Sequence, residues 1–129
     1  MKTILVDAIN AFIDKETGIF KEMHELLEQY PNPKIILTGA NDEQMDMFSL
    51  NDMPYELFTL KHDPEKTDPE YYKRMLNKFG LTSEEVVYFE HSEEAKKSAE
   101  SVGIVTHFYD KEKKDLDSLK VFLDENLAE

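Results

Sequence analysis

Residues 66–104 read KTDPEYYKRMLNKFGLTSEEVVYFEHSEEAKKSAESVGI. Asp68 then Pro69 is an N-cap followed by a first-turn proline. Tyr72, Met75, Leu76 and Phe79 recur at helical spacing, and Gly80 marks the stop. Glu85 to Phe89, with Val86, Val87 and Tyr88 between, reads as a strand. Ser92 caps a second helix whose inward face is Ala95, Ala99 and Val102, ending at Gly103 where Ile104 opens another strand. Helix, strand, helix and strand in direct succession are the repeat of a parallel α/β sheet.

The same alternation continues outward. Thr3 to Val6 is a short strand ending at Asp7. Gly18-Ile19-Phe20 leads into Met23, Leu26, Leu27 and Tyr30, which share one helical face, and Pro31 closes it. Lys34 to Thr38 is a second strand. Asn41 and Gln44 stand in capping-box relation, with Met45 and Phe48 facing inward. Tyr55 to Leu60 and Ile104 to Phe108 complete the strands, and Leu116, Leu119, Phe122, Leu123 and Leu127 stripe a last helix. Five strands, each followed by a helix, predict a single three-layer α/β/α, Rossmann-like domain over 1–129 with a five-stranded parallel sheet.

The 129 residues leave no room for a second sizeable core. Hydrophobic residues at 40% and charged residues at 33% exclude a disordered chain. No apolar run approaches the ~20 residues of a membrane helix. The opening MKTILVD is too short in apolar residues for a signal peptide. The absence of cysteine excludes disulfides and thiolate zinc sites. Lys+Arg total 15 against Asp+Glu 28, a formal charge of −13 that repels nucleic acid and anionic membranes. The most basic run, Lys111-Glu112-Lys113-Lys114, has an acid inside it. The expectation is a soluble, cytoplasmic domain with no nucleic-acid or membrane partner.

Ligands of open parallel sheets bind at the carboxyl ends of the strands. Those ends carry Asp7 to Asn10, then Thr38-Gly39, then His62-Asp63 with Lys66, then Glu90-His91-Ser92. An acid, a hydroxyl, a lysine and a second acid in one crevice suit phosphoryl chemistry. They offer a carboxylate nucleophile, two groups for phosphoryl oxygens and a metal ligand.

The order and spacing resemble the haloacid dehalogenase superfamily, mostly Mg²⁺-dependent phosphatases. The block from Lys66-Thr67-Asp68-Pro69 through Val86-Val87-Tyr88-Phe89 to Val102-Gly103-Ile104 is similar to that family's third and fourth motifs. Leu37-Thr38-Gly39 resembles the second motif and Leu5-Val6-Asp7 the first, so the likeness spans nearly the whole chain. It implies Asp7 as nucleophile, Thr38 and Lys66 as phosphate-binding groups, and Glu90 with Asp7 as metal ligands. Two positions depart from it. Ile9 stands where the family's phosphatases carry a second aspartate, the general acid/base, and His91 replaces the second acid of the metal-binding pair. A missing general acid costs about 10²- to 10⁴-fold in rate, and a histidine nitrogen is a poor ligand for Mg²⁺. Asp7 and Thr38 lie about 31 positions apart, and Thr38 and Lys66 about 28. One helix plus connections fills each gap, which leaves no cap domain and an open site.

Plainer readings stand beside these. Thr38 is a loop cap as readily as a site residue. Lys66 can be a solvated loop lysine. His91 reads as a neutral histidine hydrogen-bonded at the strand end, or as a transition-metal ligand with Asp7 and Glu90. Asn10 is a turn residue, His24 and His107 have no nameable partner, Lys96-Lys97 is a solvated face, and Met45, Met47, Met53 and Met75 are packing. A bacterial receiver domain has this length and acidity. It needs an acidic pair after the first strand, a phospho-accepting aspartate after the third and a lysine after the fifth, whereas here a lone Asp7 follows the first strand and the lysine of the motif, Lys66, precedes the third helix. Two function classes follow. One is a degenerate domain that binds a phosphate-bearing ligand or a protein partner with weak or no turnover. The other is an active phosphatase on a large phosphorylated substrate.

Overall fold

The computed structural model of the chain describes residues 1–128. In chain order the elements are β1 (Thr3–Asp7), β2 (Ile13–Asp14), β3 (Gly18–Ile19), α1 (Lys21–Leu27), β4 (Lys34–Thr38), α2 (Asp42–Met47), β5 (Glu56–Thr59), α3 (Pro69–Phe79), β6 (Val86–Glu90), α4 (Glu93–Ser101), β7 (Val105–Phe108) and α5 (Leu116–Leu127). Five of the strands form one sheet in the order β5-β4-β1-β6-β7, and each pairing within it is parallel.

Side-chain alternation divides the interior into two layers. Ile4, Val6, Val87 and Phe89 face one way and pack with Met23 and Leu27 of α1 and Leu119 and Leu123 of α5. Leu5, Val86 and Tyr88 face the other way, against Tyr71, Tyr72 and Met75 of α3 and Ala99 of α4. The sheet is therefore covered on both faces, as the sequence predicts. From β1 the chain builds β4 and β5 on one side and then crosses to β6 on the other. That reversal opens a crevice at the carboxyl end of β1, beside Asp7.

The caps fall where the sequence puts them. Asp68 accepts from the Glu70 N–H with Pro69 at the first position, and Asn41 and Gln44 form the capping box. Two expectations are corrected. Gly18 and Ile19, read as the lead into the first helix, form a two-stranded antiparallel hairpin with Ile13 and Asp14, and α1 begins only at Lys21. Met47 is 64% exposed rather than packed. Met45 and Phe48 do face inward, partly covered and packed against the core, although the short α2 carries no fully buried residue.

Candidate functional site

Asp7, Thr38 and Glu90 end three adjacent strands and are all buried. Lys66 joins them from the loop before α3. That loop is pinned from below, where the Tyr71 hydroxyl donates to the Thr38 carbonyl at 2.7 Å and the Ser98 hydroxyl donates to the Thr67 carbonyl.

Buried carboxylates need partners, and each oxygen here has one. Lys66 Nζ lies 2.8 Å from Asp7 Oδ1 and 2.6 Å from Glu90 Oε1. The His91 ring contacts Asp7 Oδ2 through Nδ1, which is also 3.1 Å from Glu90 Oε2. The His91 backbone N–H donates to Asp7 Oδ2 at 3.0 Å. The Tyr88 hydroxyl donates to Glu90 Oε1, and the Ser92 N–H donates to Glu90 Oε2 at 3.0 Å.

These contacts set the charges. Burial and then the charge of Glu90 push the Asp7 carboxyl up, against the pull of Lys66 and His91. Burial also pushes Glu90 up, but Lys66 and the hydrogen bonds from His91 outweigh it and hold Glu90 below the usual carboxylate range. Burial pulls Lys66 down, and Asp7 and Glu90 more than compensate, holding it well above its ordinary value. For His91 burial again pulls down, and the bonds to Asp7 and Glu90 raise it to about 9. A value of about 9 favours the protonated ring between the two carboxylates over the neutral histidine that one reading of the sequence offered. The other reading, a metal ligand with Asp7 and Glu90, matches the cluster these three side chains form.

Over this group lies a cleft of about 210 Å³, lined among others by Asp7, Ile9, Thr38, His62, Lys66 and His91. The two readings of Thr38 coexist, because its hydroxyl accepts from the Ala40 N–H at 3.1 Å while the residue lines the cleft. Ile9 adds only hydrocarbon. Asn10 is the expected turn residue, with φ 71°. The other two histidines do have partners: His24 packs edge-on to Phe12 and Tyr55, and His107 stacks on Phe122.

Two residues were given no role from sequence, His62 at a strand end and Tyr88 within a strand. His62 follows Lys61 in a turn where both have positive φ, 66° and 54°. Its Nε2 is 2.6 Å from Gln44 Oε1 and its Nδ1 3.0 Å from Glu65 Oε1. The ring packs against the loop at Gly39, where a Cβ would stand 3.4 Å from His62 Nδ1. Its place after the third strand was the only available signal. Tyr88 looks like any strand aromatic until its hydroxyl is seen on Glu90.

Asp7, Glu90 and His91 each offer a ligand atom within 4.8 Å of the others, a cluster able to hold a metal ion. No helix among the described residues is long and apolar enough to cross a membrane.

No family model and no curated protein matches the sequence. Solved structures do match the fold. A haloacid-dehalogenase-family enzyme from Bacteroides thetaiotaomicron, solved with magnesium and inorganic phosphate, aligns at TM-score 0.65 and 15% identity over 84% of this chain and 93% of that one. An uncharacterised protein from Corynebacterium glutamicum aligns at TM-score 0.67 and 12% identity over 100% and 97%. A haloacid-dehalogenase-superfamily hydrolase of subfamily IA from Geobacter sulfurreducens aligns at TM-score 0.55 and 23% identity, over 70% of this chain but only 46% of its own. The chain likewise spans about half, 54%, of a mutant form of the Bacteroides enzyme. The parallel sheet order, the crevice beside Asp7 and these alignments agree: the chain has the haloacid-dehalogenase-type fold.

Proposed function

We propose that the chain binds a phosphate group in the Asp7 cleft and turns phosphate esters over slowly or not at all. The observation that carries this reading is the His91 ring set between Asp7 and Glu90. An imidazolium there already supplies positive charge of the kind a divalent cation would bring. Mg²⁺ asks for a near-octahedral set of oxygens at ~2.1 Å. Both carboxylates are instead committed to Lys66, His91, Tyr88 and backbone N–H groups, and the third donor is a nitrogen. The residues present therefore make a poor Mg²⁺ site.

Proton transfer from the position of Ile9 is lost separately. A leaving alkoxide needs a proton, and Ile9 has none to give, a loss of about 10²- to 10⁴-fold. Binding suffers less. Lys66, His91 and the Thr38 hydroxyl line the cleft, and charge-assisted hydrogen bonds to phosphoryl oxygens need neither metal nor proton transfer. The partner is a phosphate-bearing small molecule or a phosphorylated protein.

A panel of phosphate esters assayed with Mg²⁺, Mn²⁺ and Co²⁺, with Asp7→Asn as the blank, should give rates at the blank level. Efficient turnover abolished by Asp7→Asn would overturn the reading. Inorganic phosphate followed by NMR should shift amides near Thr38 and Lys66, and shift them less in Lys66→Ala. No shift there would count equally against it.

Slow hydrolysis is a second reading with one observation in its favour. His62 lines the cleft with a Glu65 oxygen 3.0 Å from Nδ1, a histidine–carboxylate pair able to move a proton. Under that reading, a low rate abolished by Asp7→Asn is also lost in His62→Gln.

A further inference from the structure

A second cleft, of about 240 Å³, opens at the same carboxyl edge of the sheet. Its walls come from the turn after β1, from the β2–β3 hairpin with Phe20, and from the loop after β7. The two clefts are neighbours along the backbone, because Ile9 lines the first and Asn10 the second. Three polar groups on this second cleft lack an internal partner. Among the described residues, the Asn10 side-chain amide, the Tyr109 hydroxyl and the Lys111 ammonium make no hydrogen bond or ion pair. Tyr109 is nevertheless only 1% exposed, so its ring is packed in place.

Lys114 is held more tightly. It sits at positive φ (49°), with its ammonium 5.3 Å from the Phe20 ring centroid and 3.9 Å from Asp14. Asp14 and Glu112 also line the cleft, so it is not a general basic patch. Unpaired donors from two loops that converge on one cavity with aromatic walls form the pattern of a small-molecule site. Ammonium, hydroxyl and amide donors together suit a carboxylate or a second phosphate.

Resting on the reading of the Asp7 cleft as a phosphate site, we infer that the second cleft holds a second anionic group of the same ligand. The ligand class is a phosphate ester whose alcohol part carries another acid. Its phosphate lies toward Lys66 and Thr38, its second acid toward Lys111, Tyr109 and Asn10, and its body passes over the Ile9–Asn10 peptide.

The probes are 4-carboxyphenyl phosphate and phenyl phosphate, which differ only in the carboxylate. Titrations of the full chain are followed by amide NMR. The carboxylate-bearing ester should bind about tenfold tighter, the gain expected from one hydrogen-bonded charge. It should add shifts at Asn10 and at 109–114 to those at Thr38 and Lys66. In Lys111→Ala and in Tyr109→Phe the two esters should converge, with phenyl phosphate unchanged. Equal affinities in the unaltered chain, with no shifts at 109–114, would overturn the inference and leave the phosphate reading standing. Shifts at Asn10 and Lys111 with none at Thr38 and Lys66 would overturn the phosphate reading and the single-ligand arrangement. No shift at any of these positions would overturn both.

Discussion

At the scale of the residue, His91 couples the site to stability. A histidine in the unfolded chain titrates near ~6.5, and in the fold it titrates at about 9. A raised folded pKa adds stability that is fully present below about pH 6.5 and lost as pH climbs through about 9. Its size is at most about 3 kcal/mol. Urea unfolding should therefore show stability declining across this window, with a flatter profile in His91→Asn. Equal slopes for the two proteins would contradict the bridging imidazolium. Glu90 works in the opposite sense. Its depressed pKa adds stability above its unfolded value, lost as pH falls. Tyr88→Phe removes a buried donor from Glu90 Oε1, which keeps Lys66. Losing one hydrogen bond to a buried charge should cost about 1.5–3 kcal/mol. A urea midpoint unchanged from the parent would remove Tyr88 from the account.

At the scale of the element, the loops that aim the site depend on how the helices stop. Gly80 ends α3 at φ 64° with open space where a Cβ would stand, so Gly80→Ala should cost about 1 kcal/mol from backbone conformation alone. Gly103, after α4, is at φ 90°, and a Cβ there would meet Ser83 Oγ at 3.0 Å. Gly103→Ala should therefore cost more than Gly80→Ala, and the reverse order in denaturant melts would show that contact to be slack. Both stops were legible in the sequence, as were the caps Asp68, Asn41 and Ser92, because capping is local chemistry. The hairpin of Ile13–Asp14 with Gly18–Ile19 was not. Its strands are two residues each, too short for an alternation to register, and Ile19 and Phe20 precede a helical stripe that absorbs them. Met47 was misplaced for a related reason: a six-residue helix has too few turns to fix which face is covered.

At the scale of the whole molecule, the sheet order turns distant stretches of chain into one site. Asp7 and Lys66 are 59 residues apart, and Asp7 and His91 are 84 apart. The strand ends told which residues would meet, since strand ends share an edge. They could not tell how the residues would be paired. Whether His91 stayed neutral, took a metal or held a proton depended on Glu90 and Asp7 lying on either side of one ring, a relation with no sequence spacing. His62 was hidden in the same way, since its place over the cleft depends on Gln44, 18 residues upstream. The central claim is that a proton on His91 occupies the place of a divalent cation. If so, Ile9→Asp with His91→Asp should restore an oxygen-rich metal site, at a cost in stability while four carboxylates crowd together without metal. The most direct measurement is the melting temperature of the parent and of this double variant, with and without Mg²⁺. The account predicts no Mg²⁺-dependent change in the parent and a rise in the double variant, by mass action. A parent melting temperature that rises with Mg²⁺ as much as the variant's would contradict it.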